Sequence, residues 1–261
     1  MTDPRIQARR VSVERQRGHR RLNVLVSFLA AVGLSAGALA ILHTSMFGAR
    51  TVVIAGAVHT QRGEILAASG LGKEPPLIDV NPGTVTRRLE RLPWVLNASV
   101  HIEWPSTVGI AVVERVPVAA TELSGGGYGL VDSTGRVLVD QASRPAGLPL
   151  VALAASSSRP GVTLGAFAEP LLATAAQLPV SLEGRVREIV TGPDGVVLRL
   201  RGGMSAVIGD DQALGDKFVS LATVLSKVDL AGIGSIDLRV ATAPVLTPLV
   251  SASNVQGKGD G

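Results

Sequence analysis

The chain has 261 residues, 46% of them apolar, and its formal net charge is +4 at neutral pH. This apolar content is enough for packed cores and excludes a chain that is disordered throughout. Cysteine is absent, which excludes disulfides, thiolate metal sites and cysteine nucleophiles.

An apolar run without charged side chains extends from Leu22 to Leu42. At a rise of 1.5 Å per residue, about 20 helical residues cross the roughly 30 Å of a bilayer's hydrocarbon core. A chain in lipid has to satisfy its own backbone hydrogen bonds, which favours a helix. The run therefore predicts one transmembrane helix over residues 22–42.

Basic residues precede this run and set its predicted orientation. Seven arginines stand before Leu22 against two acidic residues, Asp3 and Glu14, and the next fixed charge after the run is Arg50. The positive excess predicts a cytoplasmic tail over residues 1–21 and a single-pass type II protein in the cell membrane. A basic tail can also bind nucleic acid, but this one lacks an aromatic residue on which bases could stack.

A cleavable signal peptide is the alternative for the same residues. Ala38-Leu39-Ala40 matches a small-residue cleavage pattern, and Arg20-Arg21 resembles part of a twin-arginine signal. The apolar run is longer than the roughly 7–15 residues of a signal-peptide core, which favours an uncleaved anchor.

The first exported segment, residues 50–119, is predicted to be a compact α+β module of order β-α-α-β-β. Apolar residues alternate where strands are expected and recur every three or four residues where helices are expected. Thr60 is the expected N-cap of the first helix and Asn81 that of the second. Leu77 to Val80 is expected to be extended. The predicted elements are a strand at 51–54, helices at 60–69 and 82–92, and a hairpin of strands 98–104 and 108–112.

This module carries a series of short motifs, which are Leu92-Pro93-Trp94-Val95, Ala98 with Val100, Trp104-Pro105, Val113-Glu114-Arg115, and Pro117 with Ala119. Together they resemble the POTRA domain of the bacterial FtsQ/DivIB cell division proteins. The resemblance implies a short cytoplasmic tail, one span, a POTRA domain and then a β domain, and the predicted anchor precedes the motifs accordingly.

The second exported segment, residues 120–250, is predicted to be an α+β domain built on a mainly antiparallel sheet. Gly125 to Gly129 is expected to be a flexible linker, and Asp210 or Asp211 is expected to start the last helix. Residues 251–261 are expected to be a disordered tail. The predicted elements are a hairpin over 129–138, a helix around 167–178, a three-strand meander over 186–208, a helix ending near 228, and a last strand at 235–240.

The sequence contains no recognisable catalytic constellation. His43, His59 and His101 stand far apart and do not form a metal-binding spacing. The glycine-rich run Gly125–Gly129 lacks the lysine and the helix of a phosphate-binding loop. There is neither a G-x-S-x-G nor an S-x-x-K motif. We therefore predict no enzymatic activity, cofactor, metal site or small-molecule substrate.

The second segment also resembles the FtsQ family, at Gly129–Leu138, at the spacing of Gly209 to Lys217 and at Ile236-Asp237-Leu238-Arg239. In that family, the edge formed by the last strand of the β domain receives the periplasmic part of FtsB/DivIC, which forms a coiled coil with FtsL. The resemblance implies a scaffold at the division septum with both partners. An open sheet edge can accept a partner strand. The candidate partner contacts are Arg239, Val240, Thr242 and Lys217.

Alternatives to this interpretation stay open at the level of single residues and of the whole chain. Arg239 and Lys217 could be plain solvated charges. An exported enzyme with a cleaved signal peptide would have its mature N-terminus near Ala40. An outer-membrane assembly component also carries POTRA domains, but the chain is too short for its C-terminal barrel.

Overall fold

The computed structural model describes residues 4–153 and 159–249, the side chains of residues 4–22 and Ser45 excepted. The predicted tail at 251–261 and the first three residues of the predicted cytoplasmic tail lie outside the described residues. The chain divides into two compact units, Met1–Ala55 with Gln61–Arg88 and Ala98–Val112, and Gly56–Thr60 with Leu89–Asn97 and Val113–Gly261. The predicted domain limits, 50–119 and 120–250, stay a prediction.

Helix α1 runs from Pro4 to Leu42, so it begins well before the predicted span. Its part from Asn23 to Leu42 is long and apolar enough to cross a membrane, with a mean hydropathy of 2.3. Large apolar side chains of this part, such as Phe28 and Leu34, are exposed. The predicted apolar helix is therefore confirmed, whereas its orientation across a membrane stays a prediction.

The smaller sheet has three strands, β1 (Thr51–Ala55), β2 (Val95–Glu103) and β3 (Thr107–Glu114), in the order β1-β3-β2. Strand β1 runs parallel to β3. Helices α2 (Arg62–Ser69) and α3 (Pro82–Leu89) follow β1 in the chain and bury Ile65 and Val85. The predicted order β-α-α-β-β is confirmed.

Two helix ends follow the local sequence signals. Gly70 ends α2 with a φ of +77°, a left-handed conformation that favours glycine. The Asn81 side chain accepts the backbone N–H of Thr84 at 3.0 Å and thereby caps the start of α3.

Two other local predictions for this segment are wrong. The N-cap of α2 is Gln61, not Thr60. Thr60 stands one residue before the cap, where its backbone N–H donates to the Glu114 carboxylate at 2.8 Å. Leu77–Asp79 forms a 3-10 turn instead of an extended piece, and the N–H of Val80 closes it on the carbonyl of Leu77 at 3.2 Å.

The larger sheet has nine strands in the described part of the chain, which are β4 (Pro117–Glu122), β5 (Tyr128–Asp132), β6 (Val137–Gln141), β7 (Leu150–Val151), β8 (Val186–Gly192), β9 (Gly195–Leu200), β10 (Ser205–Gly209), β11 (Ile233–Asp237) and β12 (Val245–Pro248). Their order is β12-β11-β10-β9-β8-β7-β4-β5-β6. The pairs β10–β11, β7–β8 and β4–β7 are parallel, and the other five pairs are antiparallel. The predicted mainly antiparallel sheet is confirmed.

Helices α4 (Glu169–Ala176), α5 (Val180–Glu183) and α6 (Leu214–Lys227) complete the second unit. Helix α4 packs against β4, β8 and β9, and α6 packs against β10. Their buried side chains join those of the strands in one core, to which the helices contribute Leu171, Leu172, Leu182, Phe218 and Leu221. The three- and four-residue spacing that predicted α4 and α6 therefore marks their buried faces.

The glycine-rich run is a hairpin turn and not the predicted linker. Strands β4 and β5 pair on either side of it, with Thr121 opposite Gly129. The N–H of Leu123 donates to the carbonyl of Gly127 at 3.1 Å and closes the turn. Gly126 and Gly127 both have positive φ, which is why the turn needs glycine.

A buried ion pair stands in the second unit. Arg115 Nη1 lies 2.6 Å from Asp132 Oδ2, and the two side chains are 13% and 5% exposed. The other oxygen of Asp132 accepts the backbone N–H groups of Thr134 and Arg136, each at 2.9 Å. Burial by itself raises the pKa of Asp132, but the hydrogen bonds from Arg115 and Thr134 hold it below its usual value.

A second buried carboxylate, Glu114, lies beside this pair in the chain. It accepts the backbone N–H groups of His59 and Thr60 at 2.9 and 2.8 Å, and the His59 ring stacks on Trp94 with 4.1 Å between the ring centres. Burial raises the pKa of Glu114, but the hydrogen bonds outweigh burial and lower the pKa to about 2. His59, Thr60, Trp94 and Glu114 all belong to the second unit.

Candidate functional site

Strand β12 forms one edge of the larger sheet, outside the predicted last strand. Strand β11 pairs with β10 on one side and with β12 on the other, where Ile236 lies opposite Leu246. The prediction that Ser235–Val240 is the open edge is therefore wrong. Pro244 and Pro248 make β12 difficult to predict from the sequence, because prolines in a short run argue against any strand except one at an edge.

The open side of β12 carries few backbone donors. The N–H of Leu249 donates to the carbonyl of Gly232 at 2.7 Å, so it points toward β11. The backbone N–H and C=O groups of successive residues in a strand point to opposite sides. The carbonyls of Pro244 and Pro248 and both backbone groups of Leu246 therefore point away from β11. Proline has no N–H, so Leu246 supplies the single outward donor between residues 244 and 248.

Apolar side chains stand on both faces of β12. Leu246 is partly buried and packs against the core. Val245 and Leu249 are 59% and 63% exposed, and successive side chains of a strand point to opposite faces. A partner strand placed along β12 would therefore meet exposed apolar side chains beside open backbone groups.

Arg239 lies in the loop between β11 and β12 and is held by acidic neighbours. Its guanidinium contacts Asp237 Oδ2 at 2.6 Å and Asp194 Oδ1 at 3.4 Å. The hydrogen bonds from Arg239 lower the pKa of Asp237 below its usual value. Val240 and Thr242, the next two candidates, are exposed in the same loop.

Lys217 has a different environment from that predicted, because its side chain is only 4% exposed. Its Nζ donates to Asp210 Oδ1 at 2.6 Å and to the Asp210 carbonyl at 3.1 Å. The predicted helix start at Asp210 or Asp211 is wrong, because Ala213 has a left-handed φ of +51° and α6 begins only at Leu214. Neither a solvated charge nor a direct partner contact fits a side chain that is buried in this way.

The four predicted residues are therefore brought to one region but not to one surface. The aliphatic part of Arg239 lies over Gly209, where an added Cβ would come within 2.9 Å of it, and Lys217 binds the next residue, Asp210. Arg239, Val240 and Thr242 are exposed beside β12, whereas Lys217 fixes the turn beneath them. Among the side chains that the structure describes, no group of three histidine or acidic residues is placed to hold a metal ion.

Two family models match the chain in succession. A model described as "POTRA domain, FtsQ-type" matches residues 47–115, and one described as "Cell division protein FtsQ/DivIB, C-terminal" matches residues 120–239. This chain belongs to the FtsQ/DivIB family. The resemblance read from the sequence motifs is thereby confirmed.

Similar curated proteins carry the same family name. The cell division protein FtsQ of Streptomyces bingchenggensis is 29% identical over 233 residues, which cover 87% of each chain. The FtsQ of Mycolicibacterium smegmatis is 32% identical over 211 residues, which are 80% of this chain and 61% of that protein. The FtsQ of Caulobacter vibrioides is 34% identical over 142 residues, or 54% of this chain and 45% of that protein.

The sequence-based prediction placed the edge of the larger sheet one strand too early. The C-terminal family model ends at residue 239, so β12 lies beyond the matched residues. The missed edge residues are Val245, Leu246 and Leu249. A usable signal was present in the two prolines, since a short apolar run between prolines is compatible with an edge strand.

Proposed function

We propose that this protein is a non-enzymatic, membrane-anchored scaffold of the bacterial division machinery that binds a partner strand along β12. The observation that supports the proposal best is the edge position of β12, which pairs with β11 alone in the described sheet. Membership of a cell division family makes another division protein the most reasonable partner.

The anchor in this proposal is the apolar part of α1. The arginines before it favour a cytoplasmic N-terminus, so that both compact units would lie outside the cytoplasm at the division septum. Such a protein recruits by binding, and the POTRA region would provide a second surface for division proteins.

The proposed partner at β12 is the periplasmic part of an FtsB/DivIC-like protein, which would bring an FtsL-like protein with it. The partner strand would receive one hydrogen bond from the N–H of Leu246 and would donate to the outward carbonyls on either side. Because the two prolines offer no donor, the position of Leu246 would fix the register of the added strand. Arg239, Val240 and Thr242 would contact the partner beyond the strand, and Lys217 would act only by holding the turn at Asp210.

The test is capture of the FtsB/DivIC-like partner by the full chain from detergent-solubilised membranes, with Leu246→Pro compared with Leu246→Ala. Both variants lose the leucine side chain, but only the proline variant loses the outward donor. We expect Leu246→Pro to bind about tenfold more weakly than Leu246→Ala, because a partner carbonyl is left unpaired. Equal binding by the two variants would contradict strand addition at β12.

Leu238→Pro, a substitution in the predicted last strand, is not a suitable test of strand addition. The N–H of Leu238 donates to the carbonyl of Val207 at 2.8 Å, and the side chain is fully buried. The substitution would therefore disturb the sheet itself. The anchor has its own test, because intact-mass analysis of the membrane fraction distinguishes a retained N-terminus from one that begins near Ala40.

A further inference from the structure

Two of the few aromatic side chains of this protein meet just after the apolar helix. The chain contains two tryptophans, one tyrosine and four phenylalanines. The rings of Phe47 and Trp104 lie 6.0 Å apart at an angle of 59°. Phe47 ends the short 3-10 turn Ser45–Phe47, and Trp104 stands in the turn between β2 and β3.

The pair is close to the end of the apolar helix along the chain. Backbone bonds from His43 to Leu39, from Thr44 to Ile41 and from Phe47 to Thr44 keep the chain coiled beyond Leu42. At 1.5–2 Å per residue, Phe47 is about 8–10 Å beyond the last residue of the helix. The polar interface of a bilayer adds roughly 5–8 Å to each side of the hydrocarbon core, so the Phe47 backbone lies at or just beyond its outer boundary and its ring has to extend back toward the bilayer to enter this layer.

Side chains at the aromatic pair are exposed, whereas a hydrogen bond fixes the backbone that carries them. Trp104 is 53% exposed, and the neighbouring Met46 is 68% exposed. The N–H of Thr51 donates to the carbonyl of Ser106 at 3.1 Å, which ties the segment after the helix to the turn that carries Trp104. The protein thus presents a large amphipathic ring on a short, anchored loop and leaves half of the ring uncovered.

We propose that Trp104, with Phe47 and Met46, inserts into the outer interfacial layer of the membrane that holds α1. Tryptophan favours this layer because its ring is apolar and its N–H can still bond to headgroups or water. Met46 and Phe47 follow Leu42, the last residue of the apolar helix, by four and five residues in the chain, which makes the bilayer around α1 the proposed occupant of the patch. The inference rests on the proposed anchoring, and it adds a lipid contact that holds the turn between β2 and β3 at the membrane surface.

The full chain, reconstituted in phosphatidylethanolamine–phosphatidylglycerol vesicles, allows a direct test. A Trp94→Phe variant leaves Trp104 as the single tryptophan, and lipids brominated on their acyl chains quench tryptophan that lies at the membrane. We expect at least a twofold loss of Trp104 emission with brominated lipid and little quenching by aqueous iodide. A Trp104→Phe variant assigns the signal, because the loss should disappear with that ring.

Spin labels provide a second measurement in the protein with both tryptophans, since the chain contains no cysteine. A label at Ser35→Cys should report hydrocarbon depth if the helix is anchored, and one at Ser106→Cys should report the interface. A Ser35 label in lipid together with a Ser106 label in water, or with strong iodide quenching of Trp104, would overturn the membrane contact alone. A Ser35 label in water would overturn the anchoring and the contact with it.

Discussion

Two arginine–aspartate pairs of the second unit have the same shortest distance and opposite surroundings. Arg115 and Asp132 approach to 2.6 Å with 13% and 5% of their side chains exposed. Arg239 and Asp237 also approach to 2.6 Å, but 50% and 27% of their side chains are exposed. Distance alone therefore does not distinguish a buried pair from an exposed one.

The two ion pairs differ in what surrounds the charged groups once the pair has separated. If the buried pair separates, Asp132 loses a charged partner in a place that water reaches poorly, and this is costly. If the exposed pair separates, water solvates both groups, so the pair contributes little to folding. In the proposed complex, the guanidinium of Arg239 would for the same reason exchange Asp237 for a partner's carboxylate or carbonyl without loss of the fold.

The largest expected effect on stability comes from breaking the buried pair of Arg115 and Asp132. Replacing Arg115 with alanine leaves the Asp132 carboxylate buried without its cation, and we expect a loss of about 3 kcal/mol in the free energy of unfolding. For a chain of this size, this corresponds to a decrease of roughly 6–12 °C in Tm. Thermal unfolding of the detergent-solubilised full chain measures it.

The matched control is the same substitution in the exposed pair. Arg239→Ala should leave Tm unchanged, and Arg239→Glu should weaken capture of the FtsB/DivIC-like partner while the protein still folds. Equal changes in Tm for Arg115→Ala and Arg239→Ala would show that burial does not separate the two pairs as described.

A smaller effect is expected from acid, through Glu114. The pKa of Glu114 is about 2 in the folded protein, below its ordinary value of 4.5. The unfolded chain therefore binds a proton first as the pH falls, so the stabilisation by Glu114 is complete above pH 4.5 and is lost between about 4.5 and 2. The Tm of Glu114→Gln should decrease less steeply than that of the unmodified protein as the pH falls across this range. Identical pH profiles of Tm would argue against a role for this carboxylate.

The sequence predicted most of the fold because its regular elements have periodic burial. The apolar spacing of α4 and α6 and the alternation in the β2–β3 hairpin depend on neighbours within a few residues. The motif around Trp94 and the Val113-Glu114-Arg115 run also identified the FtsQ/DivIB family without any structure.

The errors arose where a distant contact decides the local conformation. Thr60 is a good helix cap by residue type, but its backbone N–H binds Glu114, far along the chain, and Gln61 stands at the N-cap instead. Lys217 looks like a surface charge, but its side chain is buried and its ammonium group binds the exposed Asp210. Strand β12 is specified by pairing with β11, and Pro244 before it and Pro248 at its end lower its strand propensity, so only the compatibility of prolines with an edge strand pointed to it.

The most direct test of the central claim is amide hydrogen exchange along β12 with and without the FtsB/DivIC-like partner. The amides of Val245, Thr247 and Leu249 face β11 and should already exchange slowly in the free protein. The Leu246 amide faces outward and should exchange fast in the free protein and at least tenfold more slowly in the complex. Unchanged exchange at Leu246 in a saturated complex would contradict partner binding by strand addition at this edge.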